Sequence, residues 1–124
     1  MGALATYHFG HLPVWVDGNA YFTGATVSKH ELHGFTCPDA VQLSLEERED
    51  GSCVFRTDLY ERLKGFRDGL IHSDLLGCAF EPEQRFESPD GSAILFDSDY
   101  AGDHRGVDTL PGPFAAAVSE KRVW

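Results

Sequence analysis

Apolar residues in this chain come in short runs, often at every second position, and the runs are separated by Gly, Pro, Asp, Asn and Ser. Period-two alternation places like residues on one face of a strand, so the pattern predicts short β-strands with one dry and one wet side. The clearest case is VQLSLEERE, where Val41, Leu43 and Leu45 alternate with Gln42, Ser44 and Glu46. It runs through Asp50-Gly51 into CVFRTDLY, where Cys53, Phe55, Thr57 and Leu59 share a face opposite Arg56 and Asp58. Asp-Gly favours the positive φ angles of tight reversals, so the two segments predict a hairpin. Two more hairpins are expected on the same grounds. LPVWV and AYFTG flank Asp17-Gly18, with Val14, Trp15, Val16, Tyr21 and Phe22 in the arms. QRFES and SAILF flank Asp90-Gly91, with Phe86, Ile94 and Phe96 as inward candidates.

Helical periodicity is sparse. SKHELHG offers Ser28 with Glu31 three residues later, the spacing of a capping box, and Gly34 as a stop. DLYERLKGF sets Leu59, Leu63 and Phe66 at i, i+4 and i+7. FAAAVSEKR, after Pro111-Gly112-Pro113, suits a short C-terminal helix through its alanines. The rest reads as about seven to nine strands at the spacing of a sandwich or barrel. The expected fold is all-β: a β-sandwich of jelly-roll type, or a small barrel, of short antiparallel strands, with a short C-terminal helix. A mixed α+β fold with one helix on an open sheet is the competitor. Residues 1–124 are read as a single β domain, a length that supports a hydrophobic core without staples.

Charge narrows the partners. Ten Lys and Arg stand against twenty Asp and Glu, a net charge of −10, and basic residues nowhere cluster. Phosphate backbones and anionic membrane surfaces are therefore not expected partners. Cys37, Cys53 and Cys78 are odd in number and lack CxxC spacing, and no leader or membrane span is visible. The chain reads as cytoplasmic with reduced thiols, and Cys53 and Cys78, in apolar runs, are expected to be buried.

Candidate chemistry concentrates in FDSDYAGDHRGVD, residues 96–108. Laid on a twelve-residue calcium loop from Asp97, it places Asp99, Gly102, Asp103 and Asp108 at template positions, but Ala101 occupies a ligand position and the flanking helices are missing. No cofactor and no metal ligand set is therefore assigned, with calcium or another divalent metal kept as the alternative. As acid–base residues, His104 is a general base with Asp99 or Asp103 as its orienting carboxylate, and His33 and Glu83 are further catalytic candidates. Glu81 and Glu83 would share a strand face, the arrangement that splits carboxyl pKa values. His8/His11 and His30/His33 have H-x-x-H spacing, which joins two rings only on a helix. For ligand binding, Trp15, Tyr21 and Tyr100 supply flat rings, and Arg85 and Arg105 supply directed hydrogen bonds.

Walker, GxGxxG, GxSxG and HExxH signatures are missing. The leading expectation is a binding module for a small-molecule or carbohydrate-like ligand, a reading that extends to the small subunit of a larger enzyme. Its rivals are a small cofactor-free lyase, isomerase, cyclase or hydrolase using a His–carboxylate pair, and a homo-oligomeric interaction protein.

Overall fold

The computed structural model describes residues 14–79 and 82–124. The fold is all-β, as the alternation predicts, with seven short strands and two single-turn helices among the described residues. In order these are β1 (Ala20–Phe22), β2 (Phe35–Cys37), β3 (Leu43–Glu47), β4 (Cys53–Thr57), α1 (Leu59–Arg62), β5 (Asp68–Gly69), α2 (Ser73–Leu76), β6 (Asp108–Thr109) and β7 (Glu120–Arg122). They form sheets β1-β2, β3-β4-β7 and β5-β6.

The β3-β4 hairpin forms as its turn chemistry requires, in antiparallel register from Leu43↔Thr57 to Glu47↔Cys53. Arg48 N–H donates to Ser52 O at 2.8 Å and Gly51 N–H to Arg48 O at 2.9 Å. Gly51 has φ 78°, a region that a side chain disfavours. Asp50 Oδ1 also accepts the Ser52 N–H at 2.9 Å, so Asp-Gly-Ser closes the loop locally. Asp90-Gly91-Ser92 repeats the device: Ser88 N–H donates to Ser92 O, and Asp90 Oδ1 accepts the Ser92 N–H at 3.0 Å. Its arms make the isolated bridges Glu87↔Ala93 and Cys78↔Arg85, and the second arm also pairs with residues 71–73 through His72↔Leu95. Its expected inward residues differ in fate, since Ile94 is half-buried but Phe86 and Phe96 are exposed. The buried Ser73 hydroxyl joins the two arms, donating to Phe86 O and accepting the Ile94 N–H at 2.7 Å.

Among the described residues the first hairpin does not form. Val16 bridges Glu31 in parallel, and β1 pairs with β2 in parallel, Ala20↔Phe35 to Phe22↔Cys37. A side chain redirects this segment. The Glu31 carboxylate accepts from the Tyr21 hydroxyl at 2.7 Å and from Asn19 Nδ2 at 2.9 Å, drawing residues 28–34 alongside 16–21. That carboxylate is then not available to turn back on Ser28 as a capping box, and SKHELHG is a turn rather than a helix. The tail also differs from expectation. Ala115 to Ala117 are not helical, because the Ala115 N–H is claimed by Asp99 Oδ2 at 2.8 Å and residues 120–122 pair with β4 as β7.

DLYERLKGF does supply one helical turn, α1, and Tyr60 and Leu63 carry it into the core with Leu110 and Phe114. Phe22, Phe35, Phe55 and Phe66 pack around this cluster, joining β1, β2 and β4 to it. The Tyr60 hydroxyl accepts the Phe114 N–H at 3.0 Å, so a buried polar group and a buried backbone donor satisfy each other. The leucines of β3 stay outside, with Leu43 66% and Leu45 58% exposed. Cys37 and Cys53 are buried, whereas Cys78 is exposed, against expectation, beside its bridge to Arg85.

Candidate functional site

A groove of about 910 Å³ opens between the segment leading into β1 and the stretch from β5 through Gly112. Its apolar lining includes Trp15, Leu75, Leu95, Phe96 and Val107, and its polar lining includes Asp17, Asn19, Asp68 and Arg105. Phe96, Leu95 and Val107 are well exposed, so the rings and branches that the core does not absorb face this space. A second depression of about 620 Å³ lies beside Leu43, Arg56, Asp58 and Ser119. Its guanidinium, Arg56, is already held by Glu46 at 2.6 Å and Glu120 at 2.7 Å. The larger groove is the better candidate, since it combines an indole with carboxylates at its polar end.

At that end Asp17, His33 and Asp68 converge, with one ligand-type atom from each within 4.8 Å of the others. His33 Nδ1 lies 3.7 Å from Asp68 Oδ2, and the ring rests against Phe66 at 5.0 Å between centroids. Gly18 N–H donates to His33 O at 3.0 Å, tying the two segments together. Gly18 also has φ +70°, and a Cβ there would come within 3.0 Å of Asp68 Cβ. Glycine is what lets the two segments approach at this point.

The other sequence candidates scatter. Tyr21 does not line the groove; its hydroxyl is spent on Glu31, which raises the phenol pKa. Burial pushes Glu31 up, but hydrogen bonds from Tyr21 and Asn19 outweigh it and hold the carboxyl below its ordinary value. Arg105 lines the groove with its donors turned onto its own loop, to Leu110 O at 3.0 Å and Gly112 O at 2.7 Å. Arg85 donates to Asp74 at 2.8 Å, and Tyr100 stands 63% exposed near Trp124, at 6.3 Å between centroids.

In the 96–108 run the carboxylates do not converge. Asp99 accepts the N–H groups of Ala101 at 2.8 Å, Asp103 at 2.9 Å and Ala115 at 2.8 Å. Asp103 is engaged by Lys121 at 3.0 Å, and Asp108 sits in β6. His104 finds Asp97, at 3.7 Å, rather than Asp99 or Asp103. The calcium-loop geometry is therefore not assembled here: among the described residues, the metal-type cluster is Asp17, His33 and Asp68. Glu83 is exposed with φ 52°, while Glu81, His8 and His11 lie outside the described residues.

Asp17 and Asp68 are the site residues that sequence reasoning missed. Asp17 reads there as a turn former, and Asp68-Gly69 is a further Asp-Gly pair whose signal points to a loop. His33 is marked in the sequence by a spacing that joins two rings only on a helix.

No protein-family model matches the chain, and no curated protein matches it. Among solved structures, one described as the complex structure of XylC with xylose matches with a TM-score of 0.76 over 100% of this chain at 23% identity. The chain spans 20% of that protein's length, and at this identity the likeness is one of fold.

Proposed function

We propose that the chain is a binding module for a small, neutral, sugar-like ligand held in the groove beside Trp15, and that it serves within, or beside, a larger enzyme. The observation that carries the reading is the pairing of an indole and exposed apolar side chains with Asp17, Asn19 and Asp68 around one space of about 910 Å³. A sugar presents an apolar ring face that stacks on an aromatic surface and hydroxyls that need directed partners, and this lining offers both. The acidic surface, with its net charge of −10, accords with a neutral rather than an anionic ligand. The XylC complex contains xylose, which makes pentoses and their oligomers the first ligands to try. The 20% share of that chain accords with a role as one part of a larger assembly.

Titration of the intact chain with xylose, xylo-oligosaccharides and a hexose series, followed by calorimetry, tests the reading. Saturable binding of at least one series is expected, weakened roughly tenfold by Trp15→Ala through lost stacking area. Tyr100→Ala, distant in role though equally aromatic, should leave it unchanged. Binding that is indifferent to Trp15→Ala, or no binding across the series, defeats the assignment.

A further inference from the structure

We propose that Asp17, His33 and Asp68 form a binding site for a divalent cation of the zinc class. The three side chains come from separate stretches of chain and bring one donor atom each within 4.8 Å of the others. On a tetrahedral ion with bonds of about 2.0–2.1 Å, two donors stand roughly 3.3 Å apart. The His33 Nδ1 to Asp68 Oδ2 separation of 3.7 Å is already close to that.

A second observation points the same way. Asp17 Oδ1 is shut off from solvent and accepts no hydrogen bond from any described residue. A carboxylate oxygen in that condition costs free energy unless a proton or a cation supplies the missing partner. Asp68 is oriented as well, because its Oδ1 accepts the Gly69 N–H at 2.8 Å, which leaves Oδ2 turned to His33. The Gly18 N–H to His33 O bond ties residues 17–18 to His33, and the lack of a side chain at Gly18 makes room for Asp68 beside them.

The donor set selects the ion. Calcium and magnesium take oxygen ligands throughout, whereas an imidazole beside two carboxylates suits zinc and its transition-metal neighbours. Two carboxylates with a neutral imidazole carry a charge of about −2, which a divalent ion balances. Asp17 and Asp68 also line the groove, so an ion held by them would border it.

The test is isothermal calorimetry of the full chain with zinc chloride, in a Cys78→Ser background because that thiol is exposed. One zinc per chain is expected, with binding to calcium chloride much weaker. His33→Gln should weaken zinc about tenfold or more; with the imidazole 60% exposed, the replacement is tolerated by the fold, which circular dichroism checks. Asp68→Asn should act in the same direction, while His104→Gln, removing an exposed imidazole near Asp97, should change nothing. No zinc binding, binding unaffected by His33→Gln, or equal loss in His104→Gln would overturn the site. No sugar enters this measurement, so its failure and that of the ligand reading are told apart.

Discussion

Leu63→Ala is expected to destabilise the chain by about 3–4 kcal/mol and to lower Tm by on the order of 10–15 °C. Leu63 is fully buried, at 0% exposure, between Tyr60, Leu110 and Phe114. Its removal costs the transfer free energy of the lost methyl and methylene groups, and a cavity term adds because the neighbours are held in place. Tyr60 is pinned to Phe114 by a hydrogen bond at 3.0 Å, and Leu63 itself closes α1 through its N–H to Leu59 O at 3.0 Å. Tyr60 and Phe114 therefore cannot collapse far into the space. Leu43→Ala and Leu45→Ala are the matched controls, expected within about 0.5 kcal/mol of the parent since both side chains are more than half exposed. Equal losses from Leu63 and Leu45 in a denaturant titration would show that the core had been placed on the wrong elements.

That contrast also shows where the sequence was readable. The β3-β4 hairpin was legible because its turn is built from adjacent residues: Asp50, Gly51 and Ser52 close the loop among themselves, and the strand period either side needs nothing from elsewhere. The same local rule at Asp17-Gly18 pointed to a reversal, but there the decisive partner is Glu31, which gathers Asn19 and Tyr21 and aligns the chain in parallel. The alanines after Pro113 have helical propensity, yet Asp99 and β4 bind that tail first. Propensity is a few tenths of a kcal/mol per residue and yields to such contacts. Alternation along β3 correctly gave a strand and could not say that both its faces lie near water.

Legibility of the site followed the same division. Trp15 stood out as an indole beside a turn, and it does line the groove. The cluster of Asp17, His33 and Asp68 joins residues distant in sequence, each of which has a sufficient local explanation as turn former or surface imidazole. By contrast the densest polar run, residues 96–108, reads as a site because its acids are neighbours, and the fold distributes them among different partners.

Asp99→Ala tests that distribution, with an expected loss of about 2 kcal/mol measured by thermal or urea unfolding at neutral pH. Three backbone N–H groups lose their acceptor. Those of Ala101 and Asp103 are exposed and recover water, so most of the cost falls on the part-buried Ala115 N–H, which ties the loop to the tail beside Phe114. Asp99→Asn should recover part of the loss, since its one oxygen can keep either the Ala115 N–H or the Ala101 and Asp103 pair, which the aspartate serves with different oxygens. The pH dependence follows from the direction of the shift. Burial pushes the Asp99 carboxyl up, but the N–H donors of Ala115, Asp103 and Ala101, with the Lys121 charge, outweigh it and hold the folded-state value below the ordinary one. A carboxyl depressed in the folded state adds stability that is fully present above its unfolded pKa, about 3.9, and is lost as pH falls through the folded value. The difference between the parent and Asp99→Ala should accordingly hold from neutral pH to about pH 5 and shrink below about pH 4. Asp103→Ala, whose carboxylate is 65% exposed, should cost less than about 0.5 kcal/mol across the same range. If Asp99→Ala instead kept full stability and lost ligand binding, this aspartate would be acting on a ligand rather than holding residues 99–115 together.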